Sequence, residues 1–203
     1  MDYTEILKKF VSGEITIEEF REIYFNNVEI QQFLQDNLPD KMLKTYGGLK
    51  LSNGDFNEVL KAYHWGTKFG NYGVQCCIKR WLSDNSIDCV VTPTYQDDFE
   101  FLLDIMPDYI NGVEAERLIE SICQSAPQNL GKTKYRRLIK EKIKEAFHIQ
   151  DGKYPKWVQH TDWPFSPIGK PLKYLSTKKD GDLIQYTFVD IDTGNITIVE
   201  EFD

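Results

Sequence analysis

The feature that most constrains this chain is a change of period. Up to about residue 150, apolar residues recur every three to four positions, the spacing of a helix with one buried face. Beyond "QDGKYP", residues 150–155, prolines and strict alternation take over. A helical stripe and an alternating run bury their faces against different partners. A chain that holds them one after the other is expected to be α+β. We expect a helical body over 1–150, of about six to seven helices, and a β-rich C-terminal module over 151–203 packed on it as one integrated domain.

The helical expectations rest on local signals. "YTEILKKF" places Ile6, Leu7 and Phe10 on one face, with Thr4 as a cap and Ser12-Gly13 as the stop. Thr16 followed by Glu19 is a capping box ahead of the stripe Ile17, Phe20, Ile23 and Tyr24. A short third helix ends before Pro39, and "YGGLKLSNGD" is turn-rich. One long helix is expected from Asp55 to Asp84. Its Gly66, Gly70 and Gly73 either allow close packing or break it in two. Helices follow from about Tyr95 to Met106 and from Gly112 towards Pro127. The last, 132–147, has Tyr135, Leu138, Ile139, Ile143, Ala146 and Phe147 on one face and seven Lys/Arg against two Glu elsewhere. In the tail, 183–201 reads as strand, turn, strand. Ile184, Tyr186 and Phe188 point one way and Leu183, Gln185, Thr187 and Val189 the other.

Composition narrows the partners. The 203 residues carry a net charge of −8, which argues against nucleic acid, whose phosphates need clustered cations. No apolar run approaches the ~20 residues that cross a bilayer, so no membrane role is expected. Cys76, Cys77, Cys89 and Cys123 lack metal-ligand spacing and read as free thiols of a reducing compartment, with the cytoplasm as the expected location.

Motifs for chemistry are weak. "APQNLGKT", Ala126 to Thr133, meets a loosened phosphate-loop pattern. A helix precedes it, however, Pro127 removes an amide, and the first glycine is missing, so the start of the basic helix at Asn129 or Gly131 explains it better. "DIDTGNITIVEE" spaces Asp190, Asp192 and Glu201 like a calcium loop, but Asn195 stands where the loop needs glycine; a hairpin turn with Gly194 at positive φ is expected. His64, His148 and His160 are scattered. No catalytic residue, metal ligand or cofactor is assigned, and the chain is expected to act by binding.

The strongest candidate surface is acidic. Along 97–108, Asp97, Glu100, Asp104 and Asp108 fall at i, i+3, i+7 and i+11, with Asp98 beside them. Such a face is either ordinary solvated surface or a dock for a cationic partner. The basic helix 132–147 is expected to pair with it inside the molecule. Trp157 and Trp163 are expected to seal the hairpin onto the helices, with Trp163 also a candidate partner contact.

The tail carries a longer pattern. It runs Pro155-x-Trp157-Val158-Gln159, then Asp162-Trp163-Pro164, then Gly169-Lys170-Pro171-Leu172 and an aromatic-Leu strand. It closes with Tyr186-x-Phe188-x-Asp190, Thr193-Gly194 and Val199-Glu200. This last quarter resembles the C-terminal module of bacterial immunity proteins encoded beside polymorphic or contact-dependent toxins. "FSPIG", 165–169, is longer than the polar turn usual in that module. The resemblance implies a cytoplasmic inhibitor that binds a cognate toxin domain, a basic one given the acidic face, and a nuclease among the options. Two alternatives stay open: a metal-dependent hydrolase or nuclease around Asp97, Asp98 and Glu100, and a scaffolding protein that meets its partners through amphipathic helices.

Overall fold

A computed structural model describes residues 2–39, 55–127, 129–149 and 151–203. The turn-rich stretch before Asp55 lies outside the described residues, apart from Asp55 itself. The fold is α+β: eight helices among the described residues, then a three-stranded antiparallel sheet. None of these helices is long and apolar enough to cross a membrane.

The eighth helix comes from the expected 55–84 helix, which is two: α4 (Phe56–Ala62) and α5 (Lys68–Asp84). Gly66, at φ 93°, sits in the break, and Thr67 caps α5 by accepting from the amide of Gly70 at 3.0 Å. Gly73 does the other job. A Cβ there would lie 2.3 Å from a ring carbon of Tyr63, so the missing side chain lets that ring lie against α5. Both roles proposed for these glycines are therefore present in one segment.

The chain divides into two compact units, 1–101 and 102–203. The change of period near 150 is thus a change of secondary structure and not of unit, because two helices share the second unit with the sheet.

The first unit opens with α1 (Tyr3–Ser12), α2 (Ile17–Asn26) and α3 (Val28–Asp36). Asp2 caps α1 in place of the expected Thr4, while the Thr16–Glu19 capping box forms in full, with contacts of 3.2 and 2.7 Å. The core is aromatic. Phe10 stacks on Phe20 with centroids 4.2 Å apart, and Tyr24 stacks on Trp65 at 5.4 Å. Each polar tip is satisfied: Trp81 Nε1 donates to Leu34 O at 3.0 Å, and the Tyr24 hydroxyl donates to Asn57 Oδ1 at 2.9 Å. Buried Gln75 donates to the carbonyls of Val11 and Thr92, tying the end of α1 to the segment before α6 (Thr94–Ile105). The boundary between the units falls within α6.

The second unit holds α7 (Val113–Ser125), α8 (Lys132–Ala146) and strands β1 (Lys173–Asp180), β2 (Leu183–Val189) and β3 (Ile196–Phe202) in the order β1-β2-β3. The Tyr135 hydroxyl donates to Cys123 O at 2.9 Å, joining α8 to the end of α7. Along β2, Ile184, Tyr186 and Phe188 are buried and their neighbours half-buried, as the alternation predicts. The sheet's inner face meets the last turn of α8 through Trp163, which lies edge-on to Phe147 at 5.3 Å and to Phe188 at 5.5 Å.

Candidate functional site

The predicted acidic residues fall in both units. In the first, Asp97 is exposed and has no ion pair among the described residues. Asp98 is half-buried and bound to Lys68 at 2.8 Å. Glu100 is exposed and accepts from Gln96 Nε2 at 2.8 Å. In the second, Asp104 holds two cations of α8, Arg136 at 3.1 Å and Lys140 at 3.3 Å. The expected pairing of the basic helix with the acidic one therefore exists, but at this one carboxylate. Asp108 lies in the turn after α6, which ends at Ile105, so the helical spacing that put it on the stripe does not apply. Of the four-residue stripe, Asp97 and Glu100 remain as exposed helical carboxylates with no cation among the described residues.

Trp163 is 2 % exposed. Its Nε1 donates to Leu172 O and its backbone amide to Asn111 O, each at 2.9 Å. It fills the space between α8 and the sheet and presents no open surface to a partner. Trp157 is half-buried, stacks on Phe188 with centroids 5.9 Å apart, and donates to Tyr109 O at 2.9 Å. Both indoles act as the expected seals within the second unit.

What sequence reasoning missed is the centre of the tail, Glu201. It is 1 % exposed and faces the core side of β3, opposite Ile184. Its carboxylate accepts from the amides of Val158 (2.6 Å) and Gln159 (3.1 Å), from Thr161 Oγ1 (2.5 Å) and from the Tyr186 hydroxyl (3.0 Å). Burial pushes the carboxyl up. The Thr161 hydroxyl, the Val158 amide, the Tyr186 hydroxyl and the Gln159 amide outweigh it and hold the group below its ordinary value. Burial first, and then the Glu201 carboxylate, push the Tyr186 phenol up to about 12. One anion thus folds the segment 158–161 around itself, with His160 at φ 53° in the bend. The signal available in sequence was period 2: a glutamate on the same face as Val199 in a strand is a buried acid, and a buried acid needs donors.

The other face of the sheet differs. Ile196, Ile198 and Phe202 of β3 are exposed, at 56, 54 and 63 %. They stand opposite Val189, Thr187 and Leu183 of β2, which are half-buried. The turn joining β2 to β3 carries Gly194 at φ 75°, as expected for the hairpin. Lys170 holds Asp192 at 2.6 Å beside it.

The four cysteines are free thiols, and Cys77 Sγ donates to the Tyr63 hydroxyl at 3.6 Å. Among the described residues no three His, Cys, Asp or Glu side chains converge as metal ligands do. The sheet thus has an anionic hub on its core side, at Glu201, and exposed Ile196, Ile198 and Phe202 on the opposite face of β3. No protein-family model matches the chain, and comparison with curated proteins and with solved structures returns no match.

Proposed function

We propose that this chain is an immunity protein, a non-catalytic inhibitor that binds a cognate bacterial toxin domain in the cytoplasm. The observation that carries the reading is the arrangement of the tail. The residues of the resembling pattern, among them Trp157, Gln159, Trp163, Leu172, Tyr186 and Phe188, act in one framework that supports a sheet with an exposed apolar face. A framework closed on one face and open on the other suits recognition, because a preorganised surface loses little entropy when it binds.

The acidic character fits a basic toxin domain. Asp97 and Glu100 are exposed and uncompensated by any cation among the described residues, and exposed charges chiefly raise association rates. Asp98 and Asp104 already hold lysine or arginine, which leaves less of their charge for a partner.

The test is calorimetry with the toxin domain encoded directly upstream, together with survival of cells that express it. Binding and protection are expected; absence of both ends the reading. Asp97→Lys with Glu100→Lys is expected to slow association and flatten its salt dependence while dissociation stays nearly unchanged. Unaltered association would remove α6 from the encounter surface.

A further inference from the structure

The sheet has two edges, and the chain treats them differently. On β1 the register slips between Tyr174 and Ser176, a bulge that interrupts regular pairing. The same strand carries Lys173, Lys178 and Lys179. Bulges and lysines are the usual devices that stop an edge strand from pairing with another chain. On β3 neither is present. Its seven residues keep an unbroken register with β2 from Val189↔Ile196 to Leu183↔Phe202 and contain no proline, glycine or lysine.

The backbone of β3 is also open. Asp190 N donates to Asn195 O and Asp203 N to Asp182 O, which fixes the phase of the antiparallel ladder. Thr197, Val199 and Glu201 then turn their amides and carbonyls to β2, while Ile196, Ile198, Glu200 and Phe202 turn theirs outward. The Phe202 carbonyl is taken by Gln159 Nε2 at 2.8 Å. Among the described residues, no hydrogen bond from outside the sheet reaches the backbone of Ile196, Ile198 or Glu200. Three of these four residues with outward backbone, Ile196, Ile198 and Phe202, are also the ones whose apolar side chains are exposed.

Charge selects the occupant. Residues 180–203 contain seven Asp or Glu and no Lys or Arg. Asp192 and Asp203 are held by Lys170 and Lys179, whereas among the described residues exposed Glu200 meets only the amide of Gln185, at 2.7 Å. A second copy would bring a second uncompensated Glu200 and the same acidic turn. We infer that β3 accepts an added strand from the toxin domain, an extended segment in which apolar residues alternate with lysine or arginine. Backbone hydrogen bonds would supply the pairing, Ile196, Ile198 and Phe202 the apolar contacts, and Glu200 the selection for a cation. This rests on the immunity reading for the identity of the partner, but not for the openness of the edge.

Two measurements separate the two claims. The first is calorimetry of the upstream toxin domain against the wild-type chain, Ile198→Lys, Ile198→Pro and Glu200→Lys. Proline at 198 removes one outward N–H without touching the ladder to β2. Both substitutions at 198 are expected to weaken binding on the order of 100-fold, and Glu200→Lys on the order of 10-fold, with far-ultraviolet circular dichroism unchanged. The second is amide hydrogen exchange with the peptide Lys-Val-Lys-Val-Lys-Val-Lys as probe. Protection at Ile196, Ile198 and Glu200 is expected, and none with Glu in place of each Lys. If the toxin binds all variants alike, the edge assignment fails and the immunity reading stands. If the toxin does not bind but the basic peptide protects these amides, the immunity reading fails and the edge assignment stands. No protection by the peptide and no toxin binding overturns the edge assignment outright. Dimerisation of the free chain that Ile198→Lys abolishes would make the occupant a second copy and overturn the basic partner.

Discussion

The interiors of the two units are built on different physics. The first is held by stacked rings, Phe10 on Phe20 and Tyr24 on Trp65, and its buried polar groups, Asn57, Thr67 and Gln75, are neutral. The second closes its sheet with rings as well, but its irregular segment 158–161 is ordered by the Glu201 carboxylate. A ring core loses stability in proportion to the surface it gives up and is indifferent to pH from the acid to the neutral range, its buried Tyr24 phenol mattering only in alkali. An anionic hub converges on several donors at once, so its loss strands more than one of them and its strength depends on protonation. Loops without a regular ladder need such a hub, because their amides have no strand or helix partner to satisfy them.

Truncating a core ring should cause the largest effect. Phe20→Ala removes a fully buried ring that contacts Phe10, Tyr24 and Trp65, and a loss of about 3–5 kcal/mol in denaturant unfolding is expected. The transition should be equally shifted at pH 5 and pH 8, since no charge is involved. A pH-dependent loss would break the contrast between the units.

Glu201→Ala comes next. It leaves the amides of Val158 and Gln159 and the hydroxyl of Thr161 without their acceptor, while the Tyr186 hydroxyl keeps Lys156 O at 2.7 Å, and about 3 kcal/mol is expected. Hydrogen exchange should show faster exchange at Val158 and Gln159 first. Unaltered exchange there would mean that the aromatic seals alone order the segment.

Crowding a packed interior is expected to rank third. Gly73→Ala sets a methyl 2.3 Å from the Tyr63 ring, and about 1–3 kcal/mol should be lost as the ring is displaced. The thermal midpoint measures it, and an unchanged midpoint would show that Tyr63 can move at no cost.

The pH dependence sharpens the contrast further. The folded Glu201 carboxyl lies below its ordinary value, so its contribution is complete above about pH 4.5 and is lost as pH falls through the folded value. The Tyr186 phenol is raised to about 12 and contributes in the opposite sense: fully present below about pH 10, lost as pH rises through the folded value. Unfolding midpoints should therefore fall on both flanks in the wild type, and the acid flank should flatten in Glu201→Gln. The smallest effect is expected for Asp104→Asn, whose partners Arg136 and Lys140 are partly solvated, at about 1 kcal/mol or less in urea unfolding.

Much of this was legible in residue order. The capping box at Thr16 and Glu19, the buried stripe of α8 and the alternation of β2 each depend on neighbours within a few positions, and each formed as expected. The third strand, β1, followed from the resemblance of the tail and not from its own pattern, because Lys173–Asp180 is mostly polar and takes its strand form from pairing with β2. The stripe from Asp97 to Asp108 did not form whole. It assumed that a helix continues to 108, and the chain leaves the helix after Ile105, ahead of Pro107, which has no amide hydrogen to offer a further turn.

Residue order by itself determined most of the helices and the hairpin of β2 and β3, where most helices start, and which faces they bury, since these follow from backbone sterics and apolar spacing over one or two turns. It also determined the excess of acid after Lys179. Only the tertiary structure decided that Asp98 and Asp104 hold cations while Asp97 and Glu100 do not, that Glu201 gathers donors from some forty residues away, and that β3 keeps an open edge. Those outcomes depend on which distant groups arrive within about 3 Å of one another, and hydrogen bonds and ion pairs act only at that range.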